Sequence, residues 1–317
     1  MEYIHLKQLS TPVSRMIYGT AIKPLMEGKD ADEILDKVCA QGITTFDTAR
    51  SYGKSEEGLG RWIAKRGNRN KINILTKGCN PDQTGLKFTP ESLKGELYQS
   101  LQALQTEYVD MYCLHRDDTS VEVGVFIETL NEFKAEGKIR CFGASNWHYE
   151  RMKSANEYAY VHNLEGFSFG SPAFSLAVVV GDPWGGSIHL SGSENIEARK
   201  WFAENKIPVF AYSSFARGFL SGKYRTDMEC EIQEVLPSWT CEEYVCEENM
   251  ERLRRAEKLA QKKGATVGQI NLAWILNQPF TCCPIFSPSS KDHLMDNLKG
   301  LDVRLTQEEL LWLNLEK

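Results

Sequence analysis

Short β-branched runs alternate with helix-forming segments along almost the whole chain, and this alternation constrains the fold more than any other feature. Strand-like runs fall at residues 16–19, 43–46, 72–77, 108–114, 138–144, 166–170, 207–212 and 282–286. The segments between them carry helix punctuation. Residues 30–40 run to Gly42, Thr89 with Pro90 opens a helix, and residues 121–136 stop at Gly137. Residues 195–205 form another helical segment, and Thr266 with Gln269 makes a capping box for a helix that Pro279 stops. Ser289 is expected to cap a further helix ended by Gly300, and residues 306–315 read as a last amphipathic helix. Residues 177–192 read as a loop from their Gly and Pro content. An acidic run at 242–248 followed by basic residues at 258–263 matches the polarity of a solvated helix.

Regular strand–helix alternation points to a parallel sheet. Eight candidate strands make a (β/α)₈ TIM barrel the expected α/β architecture, with an N-terminal hairpin in residues 1–9 and extra C-terminal helices. Residues 1–317 are expected to form one domain, since such barrels routinely reach this length. A doubly wound sheet is the alternative, but its GxGxxG turn is missing after the first strand. The formal net charge of −6 argues against a nucleic-acid surface. The nine cysteines include no CxxC pair, which fits reduced thiols in the cytoplasm. Residues 1–20 hold no apolar signal core, and no run reaches membrane-spanning length. Cys230, Cys241 and Cys246 cluster without a nearby histidine, so no metal site is expected.

The chemistry gathers around residues 43–63, ITTFDTARSYGKSEEGLGRWI. Asp47 ends a strand there, Tyr52 lies on the following turn, and a helix starts near Ser55 with Glu56 and Glu57 in its first turn. Gly53-Lys54-Ser55 imitates a P-loop, but Thr48 stands where that motif needs glycine. Lys77 and His115 end the next two strands. In a barrel these strand ends are neighbours on one face. An ammonium beside a phenol lowers its pKa, a carboxylate keeps that ammonium charged, and an imidazole donates to a developing oxyanion. Together they form a proton donor for a carbonyl oxygen. The plainer alternative is an Asp47–Lys77 ion pair that only closes the barrel mouth. His115-Arg116-Asp117 lacks the asparagine of a kinase catalytic loop, Glu122 standing there instead. Tyr149 and Lys153 share the spacing of a dehydrogenase pair but fall inside a helix, where that spacing only makes them neighbours.

The segments FDTARSYGKSEEGLG, ILTKG, LHRDD, GKIRCFGASNW, VFAYSSFARGFLSGKY and SKDHLMDNL together resemble the aldo-keto reductase superfamily over nearly the whole chain. The resemblance implies a (β/α)₈ barrel that binds NADP(H) without a Rossmann domain, with NAD(H) as the alternative. It implies a catalytic tetrad of Asp47, Tyr52, Lys77 and His115, with Tyr52 as general acid/base. For the cofactor it implies Thr20 and Asp47 near the nicotinamide riboside, and Ser145, Asn146 and Ser171 at the carboxamide. Tyr212 would stack on the nicotinamide ring, and Ser213, Phe215, Gly218 and Lys223 would lie over the pyrophosphate. Ser287, Ser289, His293 and Asn297 would hold the 2′-phosphate and adenine.

Three positions depart from the family pattern. Ser171 replaces a glutamine, Phe286-Ser287 a proline-glycine pair, and His293 an arginine. The implied activity is NAD(P)H-dependent carbonyl reduction, or the reverse, on a small molecule. The alternative is a slow cofactor-sensing regulatory subunit of the same fold, acting through a protein partner. No membrane or nucleic-acid partner is expected, and the sequence leaves the oligomeric state open. The chain ends soon after residue 315, so an apolar wall from a long tail is not expected. Arg116, Asp117, Asp118 and an exposed Trp147 would then favour small polar carbonyls over steroids.

Overall fold

The computed structural model describes residues 1–80, 88–182, 185–288 and 290–317. β1 (Tyr3–Ile4) pairs antiparallel with β2 (Val13–Ser14), giving an N-terminal hairpin that extends beyond the expected residues 1–9. The barrel strands are β3 (Ile17–Gly19), β4 (Thr45–Asp47), β5 (Asn73–Gly78), β6 (Val109–Leu114), β7 (Ile139–Ser145), β8 (Phe169–Ser171), β9 (Val209–Ala211) and β10 (Cys282–Phe286). They close in the order β10-β3-β4-β5-β6-β7-β8-β9, with surrounding helices, as the strand–helix alternation predicted. Every strand of the barrel is buried along its length except at Arg140, as parallel strands covered by helices must be.

The chain divides into two compact units, Met1–Ser171 and Pro172–Lys317. In the first, the hairpin is bonded to the amino ends of β4 and β5. Thr44 Oγ1 donates to Pro12 O at 2.6 Å, and Asn73 Nδ2 donates to Thr11 O at 3.1 Å. The hairpin therefore covers the amino end, and the carboxyl ends are left for a site. The helix Ser55–Arg66 carries Trp62 inward, where its indole N–H donates to Asp36 at 2.9 Å. Gly60 is required by packing, because a Cβ there would lie 2.5 Å from Ala103 O on the helix Pro90–Ala103. Thr89 and Ser92 cap that helix reciprocally, as the Thr-Pro start suggested.

In the second unit, the helix Val267–Leu276 begins with the expected Thr266–Gln269 box. Its Asn271 is buried and accepts from Leu176 N at 3.2 Å, while buried Asn249 accepts from Val178 N at 2.9 Å. These two side chains pair backbone groups that have no ladder of their own, so residues 173–178 are buried without being regular. The loop expectation for 177–192 thus holds in shape, though part of it lies inside; residues 183 and 184 lie outside the described residues.

Short helices at Lys23–Met26, Ile232–Val235 and Ser238–Tyr244, absent from the sequence reading, carry too few residues to show a period. Three local expectations need correction. The helix Lys291–Leu298 is capped by Ser290, whose hydroxyl accepts from His293 N at 3.3 Å, one residue later than expected. The acidic run at 242–248 does not belong to one helix but is split between Ser238–Tyr244 and Glu247–Lys263. Nor is it wholly solvated, because Glu243 is buried in an ion pair with Arg217.

Candidate active site

Parallel pairing sets Gly19 opposite Asp47, Lys77 opposite Cys113, and Leu114 opposite Ala144, which brings the carboxyl ends of β3 to β7 to one rim. β4 ends on Asp47, β5 carries Lys77 as its penultimate residue, and His115 follows β6. The turn after Asp47 is fastened to β5 by Thr48 N to Leu75 O at 2.8 Å and Arg50 N to Lys77 O at 3.0 Å. Tyr52 N then donates to Ala49 O at 3.0 Å, and Gly53 takes φ +56. A Cβ at Gly53 would stand 2.6 Å from Met26 O, so glycine is needed for both its backbone and its neighbour.

These constraints bring all four predicted residues together. Lys77 Nζ lies 2.5 Å from Asp47 Oδ1, donates to Thr48 O at 2.9 Å, and reaches Tyr52 Oη at 3.3 Å. An ammonium has three donors, and each has a direction. The Tyr52 ring meets His115 edge to face, with centroids 5.8 Å apart. Asp47 and Lys77 are buried, whereas Tyr52 and His115 stay half-buried. The ion pair therefore stands behind, and the phenol and imidazole stand in front.

Burial sets the protonation of the group. It opposes the charge of Lys77, but Asp47 and Tyr52 outweigh it and hold the ammonium pKa above the ordinary lysine value. Burial also pushes the Asp47 carboxyl up, against the pull of Lys77. For Tyr52, burial raises the phenol pKa more than Lys77 lowers it. This corrects the expectation that the ammonium dominates: the phenol rests protonated, as an acid. His115 is driven well below the usual histidine value by burial, then by Lys77 and Arg116, so its ring is neutral. Ser51 Oγ lies 3.4 Å from His115 Nδ1. With Ser51 donating, the neutral ring carries its proton on Nε2.

The three residues assigned to the carboxamide also meet. Ser145 Oγ donates to Ser171 O at 2.7 Å, and Asn146 Nδ2 donates to Ser145 Oγ at 3.1 Å and His115 O at 3.0 Å. Asn146 holds φ +57, an uncommon left-handed position for a residue other than glycine. Thr20 N donates to Asp47 O at 2.8 Å, and its buried hydroxyl has no hydrogen-bond partner among the described residues. A buried orphan hydroxyl is costly unless something bonds to it, so this position fits a ribose hydroxyl.

In the second unit, the loop after β9 contains Tyr212, Ser213, Phe215 and Gly218, all half-buried, and Lys223, exposed. Ser213, Ala216 and Arg217 take φ +49, +47 and +51, each costing about 1–3 kcal/mol. The strain is held by Ser214 Oγ to Ile285 O at 2.5 Å, Asn271 Nδ2 to Ser214 O at 2.7 Å, and Thr240 Oγ1 to Arg217 O at 3.2 Å. The Arg217–Glu243 ion pair adds to this hold. Ser287 and His293 are exposed, and Asn297 is half-buried one turn beyond His293 on Lys291–Leu298. Ser289 lies outside the described residues.

Thr48 and Ser51, which supply the Lys77 carbonyl contact and the His115 contact, were not singled out from the sequence. Their only signal was adjacency to Asp47 and Tyr52. Trp147 is corrected from exposed to buried, wedged against Phe126 and Phe167 with centroids 5.0 and 5.2 Å away. Tyr149 begins the helix Tyr149–Val161 and Lys153 faces Glu157 at 3.9 Å, as helical spacing predicted. The nine cysteines are free thiols. Among the described residues no group of three or more His, Cys, Asp or Glu side chains is placed to hold a metal ion, and no helix is long and apolar enough to cross a membrane.

Comparison with known proteins gives the family of this barrel. Residues 15–312 match the aldo/keto reductase family model. Similar proteins include aldo-keto reductase str7 of Strobilurus tenacellus, 27% identical over 88% of this chain and 78% of its own length. Aldo-keto reductase YhdN of Bacillus subtilis is 28% identical over 88% of this chain and 82% of its own. Aldo-keto reductase yakc [NADP(+)] of Schizosaccharomyces pombe is 27% identical, over 89% and 82%. A match spanning nearly the whole chain, on a closed eight-stranded barrel, places this oxidoreductase in the aldo/keto reductase family.

Proposed function

We propose that this chain, acting as one domain in the cytoplasm, reduces the carbonyl of small aldehydes or ketones to alcohols, or runs the reverse, with NADPH as preferred reductant. The observation that carries the reading is a protonated, half-exposed Tyr52 placed 3.3 Å from the ammonium of Lys77. The bound reduced nicotinamide supplies a hydride. Tyr52 gives its proton to the carbonyl oxygen, and the phenolate left behind is stabilised by Lys77, whose charge Asp47 supports. Neutral His115 donates a hydrogen bond to the same oxygen and fixes its direction. These roles need no nucleophile, which suits hydride transfer better than acyl transfer.

Thr20, with its orphan hydroxyl, and Ser145, Asn146 and Ser171 are assigned to the nicotinamide half. Tyr212, Ser213, Phe215, Gly218 and Lys223 are assigned to the ring face and pyrophosphate, and Ser287, Ser289, His293 and Asn297 to the 2′-phosphate and adenine. The strained loop after β9 supports the pyrophosphate assignment, since strain of this kind gathers at ligand clamps. NADPH is favoured because Lys291 and His293 are exposed in the first turn of a helix, where anions bind. One relative is also named for NADP(+).

The test is Tyr52→Phe. Carbonyl reduction should fall by about 10²–10⁴, while NADPH affinity, followed by quenching of protein fluorescence, should hold within a few-fold. Retained turnover would remove Tyr52 from the mechanism.

A further inference from the structure

Arg116 directly follows His115, and its backbone N–H is fixed by Cys79 O at 3.0 Å. Its side chain is half withdrawn from water, and Nη1 is buried with no hydrogen-bond partner among the described residues. Two aspartates follow in sequence, and adjacency suggests that they neutralise it. They do not. Asp117 Oδ2 lies 2.6 Å from Arg151 Nε. Asp118 Oδ1 accepts from Ser120 N and Oγ at 3.1 and 2.5 Å, and its Oδ2 accepts from Phe88 N at 3.5 Å. Arg151 is itself committed, donating to Asp118 O and Val121 O at 3.0 and 2.6 Å and lying 5.0 Å from the Trp147 ring.

The acids beside Arg116 are thus spent elsewhere, and its guanidinium has no counterion among the described residues. It is also close enough to His115 to help keep that imidazole neutral. In the rest of the rim, Asp47 and Lys77 cancel, and Tyr52 and His115 are uncharged. Among the described residues, Arg116 therefore leaves one net positive charge at this rim. A partly buried cation without a partner is unfavourable by itself and is relieved by an anion.

Resting on the proposed carbonyl reduction, we propose that Arg116 pairs with a carboxylate carried by the substrate, so that the preferred substrates are short oxo acids. A guanidinium fork matches the two oxygens of one carboxylate. A phosphate brings a second charge, and the described cations Lys77, Arg151 and Arg50 are already paired. Arg116 shares the β6 end of the rim with His115 and acts on its ring through space, so an acid held there can present a carbonyl a few carbons away to Tyr52. This makes Arg116 a specificity-determining residue, and it narrows the polar-substrate expectation after the loss of Trp147 as an exposed platform.

The test compares kcat/KM for 4-oxobutanoate, its methyl ester and glyceraldehyde 3-phosphate with NADPH. The acid should exceed the ester by roughly 10- to 100-fold, the range expected for a charge-assisted hydrogen bond. In Arg116→Met the acid-to-ester ratio should fall towards one, mainly through KM, and Arg116→Lys should restore part of it. Thermal melting confirms that both variants fold, and the lysine variant keeps the comparison should the methionine variant not. A wild-type ratio near one, an unchanged ratio in both variants, or a preference for the phosphate over the acid would overturn the proposal. Succinate has no reducible carbonyl, so its stabilisation of the wild-type protein in a thermal shift, lost in Arg116→Met, reads the anion site without turnover. Succinate binding with no reduction of any aldehyde would overturn the reductase reading and leave the Arg116 site standing.

Discussion

Removing Lys77 alone should harm the protein more than removing it together with Asp47. Both side chains are withdrawn from water, at 2% and 3% exposure, and Nζ sits 2.5 Å from Oδ1. Breaking a buried ion pair from one side costs about 3–5 kcal/mol, because the surviving charge has no partner. Unfolding entropy of about 2.1 cal/mol/K per residue over 317 residues gives roughly 1.5 °C per kcal/mol. Lys77→Met should therefore lower Tm by roughly 5–8 °C near pH 8, and Asp47→Asn with Lys77→Met should recover most of that. The penalty has a pH signature. Burial already pushes the Asp47 carboxyl up, and losing Lys77 removes the force opposing it. The unfolded carboxyl titrates near 3.9. Between that value and the raised folded one, the unfolded state ionises while the native state does not. Stability therefore falls as pH rises through this window, by at most about 1.4 kcal/mol per pH unit. Below it both states are protonated and the penalty disappears. Thermal melts near pH 5 and pH 8 should show the gap between variant and wild type narrowing on the acid side. Turnover should stay low in the double variant, since Tyr52 has lost its cation. A double variant as unstable as Lys77→Met, or a gap independent of pH, would refute the argument.

The reduction rate should be flat across neutral pH and fall only on the alkaline side, because burial holds the Tyr52 phenol protonated and His115 is already neutral; a limb near the ordinary histidine value, about 6.5, would show His115 titrating instead. Lys77→Met should also move the alkaline limb of alcohol oxidation upward, since a cation beside the phenolate is lost; an unmoved limb in a variant that still turns over would reduce Lys77 to a structural ion. NADPH should bind more tightly than NADH, with the gap shrinking as salt screens the Lys291 charge; tighter NADH binding in equilibrium titration would reverse the cofactor assignment. Gly53→Ala places a Cβ 2.6 Å from Met26 O at φ +56, so turnover should fall with the displaced Tyr52, and stability should drop by at least about 1–2 kcal/mol. An alanine variant with unaltered kinetics and melting would show that the turn yields freely.

The grouping of Asp47, Tyr52, Lys77 and His115 was legible because each stands at or just beyond the carboxyl end of a strand, and parallel topology then puts strand ends together whatever the loops do. Helix starts were legible where both halves of a cap lie within three residues, as at Thr89 and Ser92 or Thr266 and Gln269. What stayed hidden depends on partners distant in sequence. Glu243 read as one more solvated acid, but it is buried because Arg217 comes to it from the loop after β9. Trp147 read as an exposed face, but Phe126 and Phe167 close over it. The clearest case is Arg116-Asp117-Asp118, where adjacency alone would give a self-neutralising run. Successive side chains leaving a strand diverge, so the nearest residue in sequence is a poor guide to the nearest charge. Asp117 meets Arg151 from the helix Tyr149–Val161, a pairing that only the packing of that helix over the rim can create. That displacement of partners leaves Arg116 without a counterion among the described residues, and so a failure of sequence adjacency marks the position proposed to select the substrate.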